Sequence, residues 1–296
     1  MRIVSLVPHA TELLFELGLG EDVVGVTHEC DFPDEVRELE AVTRDVLAAG
    51  LSPAEIDAAV RARTKAGESI YELDEESVRE LEPDLIVTQA LCHVCAVSVD
   101  EVQALATTLP GPPRVVSLDP KTYGETLADV RTIAQATGSR DAALDLIART
   151  ARRADVVRLA VRGAPRPRVA ALEWLDPVFV GGHWVPQLIE MAGGEDVLGF
   201  TGEPSRQATW EEVTAAQPEV VVVMPCGYDA ARALAEAEGF AGELRALGAD
   251  QVFAVNASAY FSRPGPRLID GIELLAHILH PDRVPAAPAE ALAVAL

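Results

Sequence analysis

Short apolar runs alternate with segments of helical period along the first 120 residues. Residues 3–7 predict a strand, 11–17 a helix, 23–26 a strand, 75–81 a helix closed by Pro83, 85–88 a strand, 99–107 a helix and 114–118 a strand. The apolar runs lack strict polar alternation, which suits strands covered on both faces. Strands that alternate with helices predict parallel pairing through crossover helices. From residue 123 to 161 the period is helical: Leu127, Val130, Ile133 and Ala134 fall on one stripe, Gly138 interrupts it, and Ala143, Ile147 and Ala151 resume it. The theme then repeats. Residues 169–172, 220–224 and 252–255 read as strands, and 187–191, 210–216 and 267–279 as helices, the last stopped by His280-Pro281.

The pattern predicts an N-terminal α/β lobe over 1–120, a connecting helix over 121–163, a C-terminal α/β lobe over 164–284 and a loose Ala/Pro-rich tail over 285–296. The two lobes echo each other. Glu12 to Gly25 (ELLFELGLGEDVVG) matches Pro186 to Gly199 (PQLIEMAGGEDVLG), and Glu82-Pro83-Asp84-Leu85-Ile86-Val87 matches Gln217-Pro218-Glu219-Val220-Val221-Val222. Two matches in the same order favour duplicated lobes. The expected fold class is therefore α/β: two Rossmann-like lobes with parallel sheets, joined by a long connecting helix, with a ligand cleft between the lobes. Open α/β sheets bind ligands at strand C-terminal ends.

Charge narrows the partners. The formal net charge is −23, and nucleic acid and anionic membranes both need a basic footprint. No nucleic-acid partner and no direct membrane insertion are expected, since no apolar run reaches the ~20 residues of a membrane helix. Met1-Arg2-Ile3-Val4-Ser5 already reads as a strand, which leaves no room for a secretory signal. The expected location is cytoplasmic as the chain is written, and periplasmic or cell-surface if a leader precedes it. The expected state is a monomer.

The chemistry-bearing residues follow the strands. His9 follows the first strand, His28-Glu29-Cys30-Asp31-Phe32 the second and Cys92-His93-Val94-Cys95 the third. In the second lobe Glu173-Trp174, then Trp184, then Tyr260-Phe261-Ser262-Arg263 hold such places. Together they suit a large, flat, partly apolar ligand with a few polar handles. Cys92, His93 and Cys95, with His28, are candidate ligands for a soft metal ion; two buried thiols are an equal reading. Gly18-Leu19-Gly20 and Gly181-Gly182 read as turn glycines. No nucleophile elbow, phosphate loop or dinucleotide fingerprint is present. The chain is not expected to be an enzyme and requires no cofactor.

From Ser5-Leu6-Val7-Pro8-His9-Ala10-Thr11-Glu12, through Phe179-Val180-Gly181-Gly182 and Met191-Ala192-Gly193-Gly194-Glu195, to Tyr260-Phe261-Ser262-Arg263-Pro264-Gly265-Pro266-Arg267, the chain resembles the vitamin B12-binding proteins of ABC importers. These belong to the helical-backbone class of periplasmic binding proteins. The resemblance covers about residues 2–280. It implies that Phe32 and Trp174 match pocket aromatics, that Tyr260-Phe261 match an aromatic pair near the cleft, and that Arg263 matches a basic residue following that pair. Two further pocket tryptophans of the family have no counterpart; their places fall near Glu29 and Ser205. It also implies that Glu76 and Glu211 are the acids that dock on transporter arginines, one from each lobe.

The function expected is binding of a corrinoid, cobalamin or cobinamide, as the substrate-binding component of an ABC-type uptake system with its permease and ATPase, or as a cytosolic relative of one. Two alternatives stand beside it. One is a metal, haem or metal-chelate binder of the same fold that uses the His and Cys cluster. The other is a cytosolic thiol-dependent corrinoid-processing enzyme or chaperone.

Overall fold

A computed structural model describes residues 1–48, 50–51, 53–66, 68–90, 97–286 and 289–295. The chain forms two compact units. The first comprises Met1–Pro120 with Glu125–Ile147, the second Lys121–Gly124 with Ala148–Leu296.

The first unit runs β1 (Ile3–Ser5), α1 (Pro8–Glu16), β2 (Val23–Val26), β3 (Glu40–Ala41), β4 (Thr43–Asp45), α2 (Pro53–Ala66), β5 (Tyr71–Leu73), α3 (Glu75–Glu80), β6 (Leu85–Gln89), α4 (Val99–Thr108), β7 (Arg114–Leu118) and most of α5 (Tyr123–Thr137). A five-stranded sheet in the order β3-β2-β1-β6-β7 is parallel throughout. Its side chains divide by the period of two. Ile3, Leu85, Val87 and Leu118 join one core with Leu14 of α1 and Ile133 of α5. Val4 and Ile86 join another with Val102 and Leu105 of α4. Both faces are buried, which is why the strands read as continuous apolar runs. Strands β4 and β5 form a separate antiparallel ribbon, pairing Thr43 with Leu73 and Asp45 with Tyr71.

Helix α6 (Arg140–Ala160) carries the chain into the second unit. Gly138, at φ +79°, lies between α5 and α6, at the interruption expected there. The second unit continues with β8 (Arg168–Leu175), β9 (Val178–Val180), α7 (Val185–Met191), β10 (Glu195–Asp196), β11 (Arg206–Gln207), α8 (Trp210–Ala215), β12 (Val220–Val223), α9 (Ala230–Gly239), α10 (Ala241–Ala246), β13 (Gln251–Val255), α11 (Ala257–Tyr260), α12 (Leu268–Leu279) and β14 (Ala291–Ala293). Its sheet runs β11-β9-β8-β12-β13-β14, with β10 also on β8. The tail thus supplies an antiparallel edge strand, Ala291 opposite Val255 and Ala293 opposite Phe253, where a loose segment was expected. Alanine is a weak strand former, so backbone pairing to β13 sets this strand and its composition gives no sign of it. Among the described residues no helix is long and apolar enough to cross a membrane.

The echo between the halves has a structural counterpart. Strands β10-β8-β12-β13 repeat the parallel order β2-β1-β6-β7. Glu82 and Gln217 both adopt left-handed backbone, φ +42° and +48°; the proline that follows each disfavours the right-handed helical region. Two residues on, the Asp84 carboxylate accepts the Arg2 amide at 2.7 Å and the Glu219 carboxylate accepts the Arg168 amide at 2.8 Å. Each unit therefore ties the start of its first strand to the turn before its next parallel strand by the same bond.

Candidate functional site

In the first unit the groups after β2 are fixed by the β4–β5 ribbon. Paired residues of an antiparallel ribbon share a face, so Thr43 and Tyr71 lie on one side and Arg44 and Glu72 pair on the other. The Thr43 hydroxyl oxygen accepts the His28 backbone N–H at 3.1 Å and stands 2.7 Å from His28 Nδ1. The same hydroxyl donates to Thr27 Oγ1 at 2.9 Å. The Tyr71 hydroxyl donates to Glu29 Oε1 at 2.7 Å, and its ring meets the His28 ring edge-on at a centroid distance of 5.0 Å. His28, Glu29 and Phe32 are exposed, Phe32 to 40 % of its surface.

His9 is placed differently. It sits in the first turn of α1 behind Pro8, whose fixed φ favours that position, and is only 4 % exposed. Beside it the Thr11 hydroxyl donates to Ser5 Oγ at 2.8 Å and lies 3.1 Å from Cys30 Sγ. Cys92, His93 and Cys95 lie outside the described residues. Among the described residues no group of three His, Cys, Asp or Glu side chains is arranged to hold a metal ion.

Asp129 on α5 has a carboxyl pushed up to about 7, by burial first and then by the nearby charges of Asp119 and Glu125. Its Oδ2 is buried without a hydrogen-bond partner.

In the second unit Glu173 lies on β8. It is partly buried, and burial raises its carboxyl to about 7 against the opposing hydrogen bonds from Ser205 and the Gly182 N–H. Ser205 Oγ also accepts the Gly182 N–H at 3.1 Å, so Glu173, Ser205 and Gly182 close one small network. Gly182 is more than a turn glycine. A Cβ there would stand 2.4 Å from Ser205 N and 2.5 Å from Glu203 O, so only glycine allows the two backbone segments to approach. His183 follows at φ +50°, and its amide donates to Glu203 O at 2.6 Å.

The second unit's aromatics divide by burial. Trp174 is half-buried, edge-on to Tyr228 at 5.7 Å, with the Arg232 guanidinium 3.7 Å above the Tyr228 ring. Trp184 and Phe261 are buried in their own unit, 5 % and 2 % exposed, and the Trp184 indole N–H donates to Phe261 O at 2.7 Å. Tyr260 and Arg263 are half-buried. A recess of about 700 Å³ lined by Phe253, Leu274, His277, Ile278 and Pro281 opens beside the N-terminal half of β13, away from the strand C-terminal ends.

Glu76 and Glu211 are exposed in the first turns of α3 and α8. These helices hold equivalent places, each leading into the left-handed residue described above. Asp74 caps α3 by accepting the Ser77 N–H at 3.1 Å, and Thr209 with Glu212 forms a capping box on α8. Hydrogen bonding by its own backbone N–H and by Thr209 holds the Glu211 carboxyl below its usual range.

Sequence reasoning reached the strand-end residues but not their supports. Thr43 and Tyr71 sit on three-residue strands far apart in the chain, and Ser205 sits in a loop. Gly181-Gly182 ahead of an aromatic pair was the one local signal of a close approach.

The sequence profile of the periplasmic binding proteins matches residues 3–258. A vitamin B12-binding protein of Vibrio cholerae serotype O1 is 25 % identical over 292 residues, spanning 92 % of this chain and 86 % of that protein. One of Pectobacterium carotovorum is 26 % identical, spanning 90 % and 84 %. Among solved structures, the periplasmic vitamin B12-binding protein of Vibrio cholerae superposes with a TM-score of 0.67 at 24 % identity, over 94 % of this chain and 96 % of that one. A periplasmic haem-binding protein of Pseudomonas aeruginosa superposes with a TM-score of 0.71 at 19 % identity, over 99 % and 95 %.

Proposed function

The chain belongs to the periplasmic binding protein family, a family of binding proteins rather than enzymes, and on that premise we propose that it captures a corrinoid, cobalamin or cobinamide, for an ABC-type uptake system. The observation that carries the reading is the set of vitamin B12-binding relatives that match it over about nine-tenths of its length. The groups near the strand ends support it. A corrin is broad and apolar on its faces and fringed with amides. Exposed Phe32 and half-buried Trp174 and Tyr260 suit the faces. The Glu29–Tyr71 pair and the Glu173–Ser205–Gly182 network suit the amides. Each polar set lies near a place where the resemblance would put a tryptophan, which favours hydrogen bonding over stacking at each of those places.

Glu76 and Glu211 serve in this reading as the docking acids for the permease. The helix dipole also favours an acid in a first turn, so the test separates the two roles. Glu76→Ala with Glu211→Ala leaves ligand affinity unchanged and abolishes transporter-dependent uptake; loss of ligand affinity, or full uptake, contradicts docking. The ligand itself is tested by a thermal-shift screen with cobalamin, cobinamide and haemin. Stabilisation by either corrinoid and not by haemin is expected. Stabilisation by haemin alone moves the reading to haem.

A further inference from the structure

We infer that His28 coordinates the central metal of the bound macrocycle through Nε2. The inference rests on the corrinoid reading and deepens it by naming the axial ligand.

The hydrogen bonds around Thr43 set the tautomer. A threonine hydroxyl has one proton to donate and two lone pairs to accept with. Thr43 gives that proton to Thr27 Oγ1. Its oxygen therefore accepts both from His28, the backbone N–H at 3.1 Å and Nδ1 at 2.7 Å. Nδ1 must carry the ring proton. The lone pair is left on Nε2, the atom at the far side of the ring, on a residue exposed at the end of β2. A fixed Nδ1–H donor that leaves the Nε2 lone pair for the metal is the arrangement that metal-ligating imidazoles use, because the second hydrogen bond fixes the tautomer and orients the ring.

The ring is also held in space. Two bonds from one residue to the same Thr43 oxygen restrict both its backbone and its χ angles. The Tyr71 ring borders it edge-on at 5.0 Å, and Glu29 fixes Tyr71. The supports come from β4 and β5, the backbone-paired ribbon. His28 itself lies in the turn after β2, and supports carried on paired strands hold that turn more firmly than loop residues would.

The other described histidines are spent elsewhere. His9 and His280 are buried. His277 Nδ1 lies 2.8 Å from Val284 O. His183 stacks on Trp184 at 5.6 Å in the second unit.

The step is a ligand exchange. Nε2 bonds to the metal, one axial water leaves as water, and no electron or proton changes hands. The shared chemistry is a planar macrocycle whose metal has an exchangeable axial position, and two probes separate its sources. Diaquocobinamide offers such a position on cobalt and haemin on iron; dicyanocobinamide has both axial positions filled.

The experiment records visible spectra and equilibrium titrations of the full chain with all three, for the wild type, His28→Ala and Thr43→Val. Far-UV circular dichroism first confirms that each variant is folded. Diaquocobinamide is expected to shift its corrin bands on binding to the wild type and to keep its unbound spectrum with His28→Ala, which binds it at least about tenfold more weakly. Dicyanocobinamide binds the wild type and His28→Ala alike. Thr43→Val keeps the shift but loses about tenfold in affinity, as expected for a group that orients a ligating imidazole. Cobinamide binding without a band shift, or a shift that survives His28→Ala, overturns the inference and leaves the corrinoid reading standing. If cobinamide does not bind but haemin shows an absorption change that depends on His28, the coordination stands and the corrinoid reading fails. Binding of neither overturns both.

Discussion

The Tyr71 hydroxyl donates to Glu29 Oε1 at 2.7 Å across 42 residues of sequence. This bond joins the β4–β5 ribbon to the segment after β2 and so decides how firmly the first unit presents His28 and Glu29. Both partners are partly solvated, and Tyr71→Phe is expected to cost no more than about 1 kcal/mol of stability. A loosened site of that energy corresponds to roughly fivefold weaker corrinoid binding. Unfolding in urea and titration of the same variant check the two effects. A loss of affinity with no change in the urea midpoint fits a positioning role, and unchanged affinity contradicts it.

Two carboxyls make stability depend on pH. Glu173 and Asp129 both hold their protons to about pH 7, whereas an unfolded chain releases them near pH 4. Between these limits the native state binds more protons than the unfolded state. Stability therefore falls as pH rises from about 4 to 7 and levels off above the folded value. Each group accounts for up to about 4 kcal/mol across that window. Glu173→Gln and Asp129→Asn should each flatten the profile of unfolding free energy against pH. A wild-type profile that rises across the same window contradicts the assignment.

Gly182 is expected to be intolerant of a methyl group. Its Cβ would stand 2.4 Å from Ser205 N, and backbone must move to relieve that contact. Gly182→Ala should cost about 2–3 kcal/mol and break the hydrogen bonds among Gly182, Ser205 and Glu173. Gly242 in α10 has nothing within 4 Å of its Cβ position, and Gly242→Ala should be neutral or stabilise by up to about 1 kcal/mol. Paired urea denaturation curves give both values.

Trp184→Phe removes the indole donor from Phe261 O. The ring volume is partly kept, but a buried carbonyl loses its partner, at an expected cost of about 1–3 kcal/mol. The midpoint of urea unfolding reports it; an unchanged midpoint would mean that the carbonyl finds another donor.

Much of the architecture was legible because it rests on period and duplication. The strands of the parallel sheets are apolar without alternation, and both faces of the first sheet are buried. The Glu82-Pro83 and Gln217-Pro218 echo pointed to duplicated lobes, and the structure adds that each copy carries a left-handed residue at the turn. What escaped was set by pairing between distant residues. Arg44 and Glu72 give β4 and β5 a polar face that reads as loop, and the ribbon exists because Thr43 and Tyr71 meet partners across α2. Ala291–Ala293 carries no strand signal; it pairs with β13, and Val294 beside it packs into the second unit's core. The candidate residues at strand ends could be named from sequence, but their exposure could not. His9 and Trp184 turn inward while His28 and Phe32 stay at the surface, a division made by tertiary packing.

Corrinoid capture is tested most directly by calorimetric titration of the purified chain with cobinamide, with haemin as competitor. The account predicts saturable one-to-one binding in the micromolar range or tighter that excess haemin does not displace. No heat and no retained corrinoid at high-micromolar concentration of either cobinamide or cobalamin would contradict it.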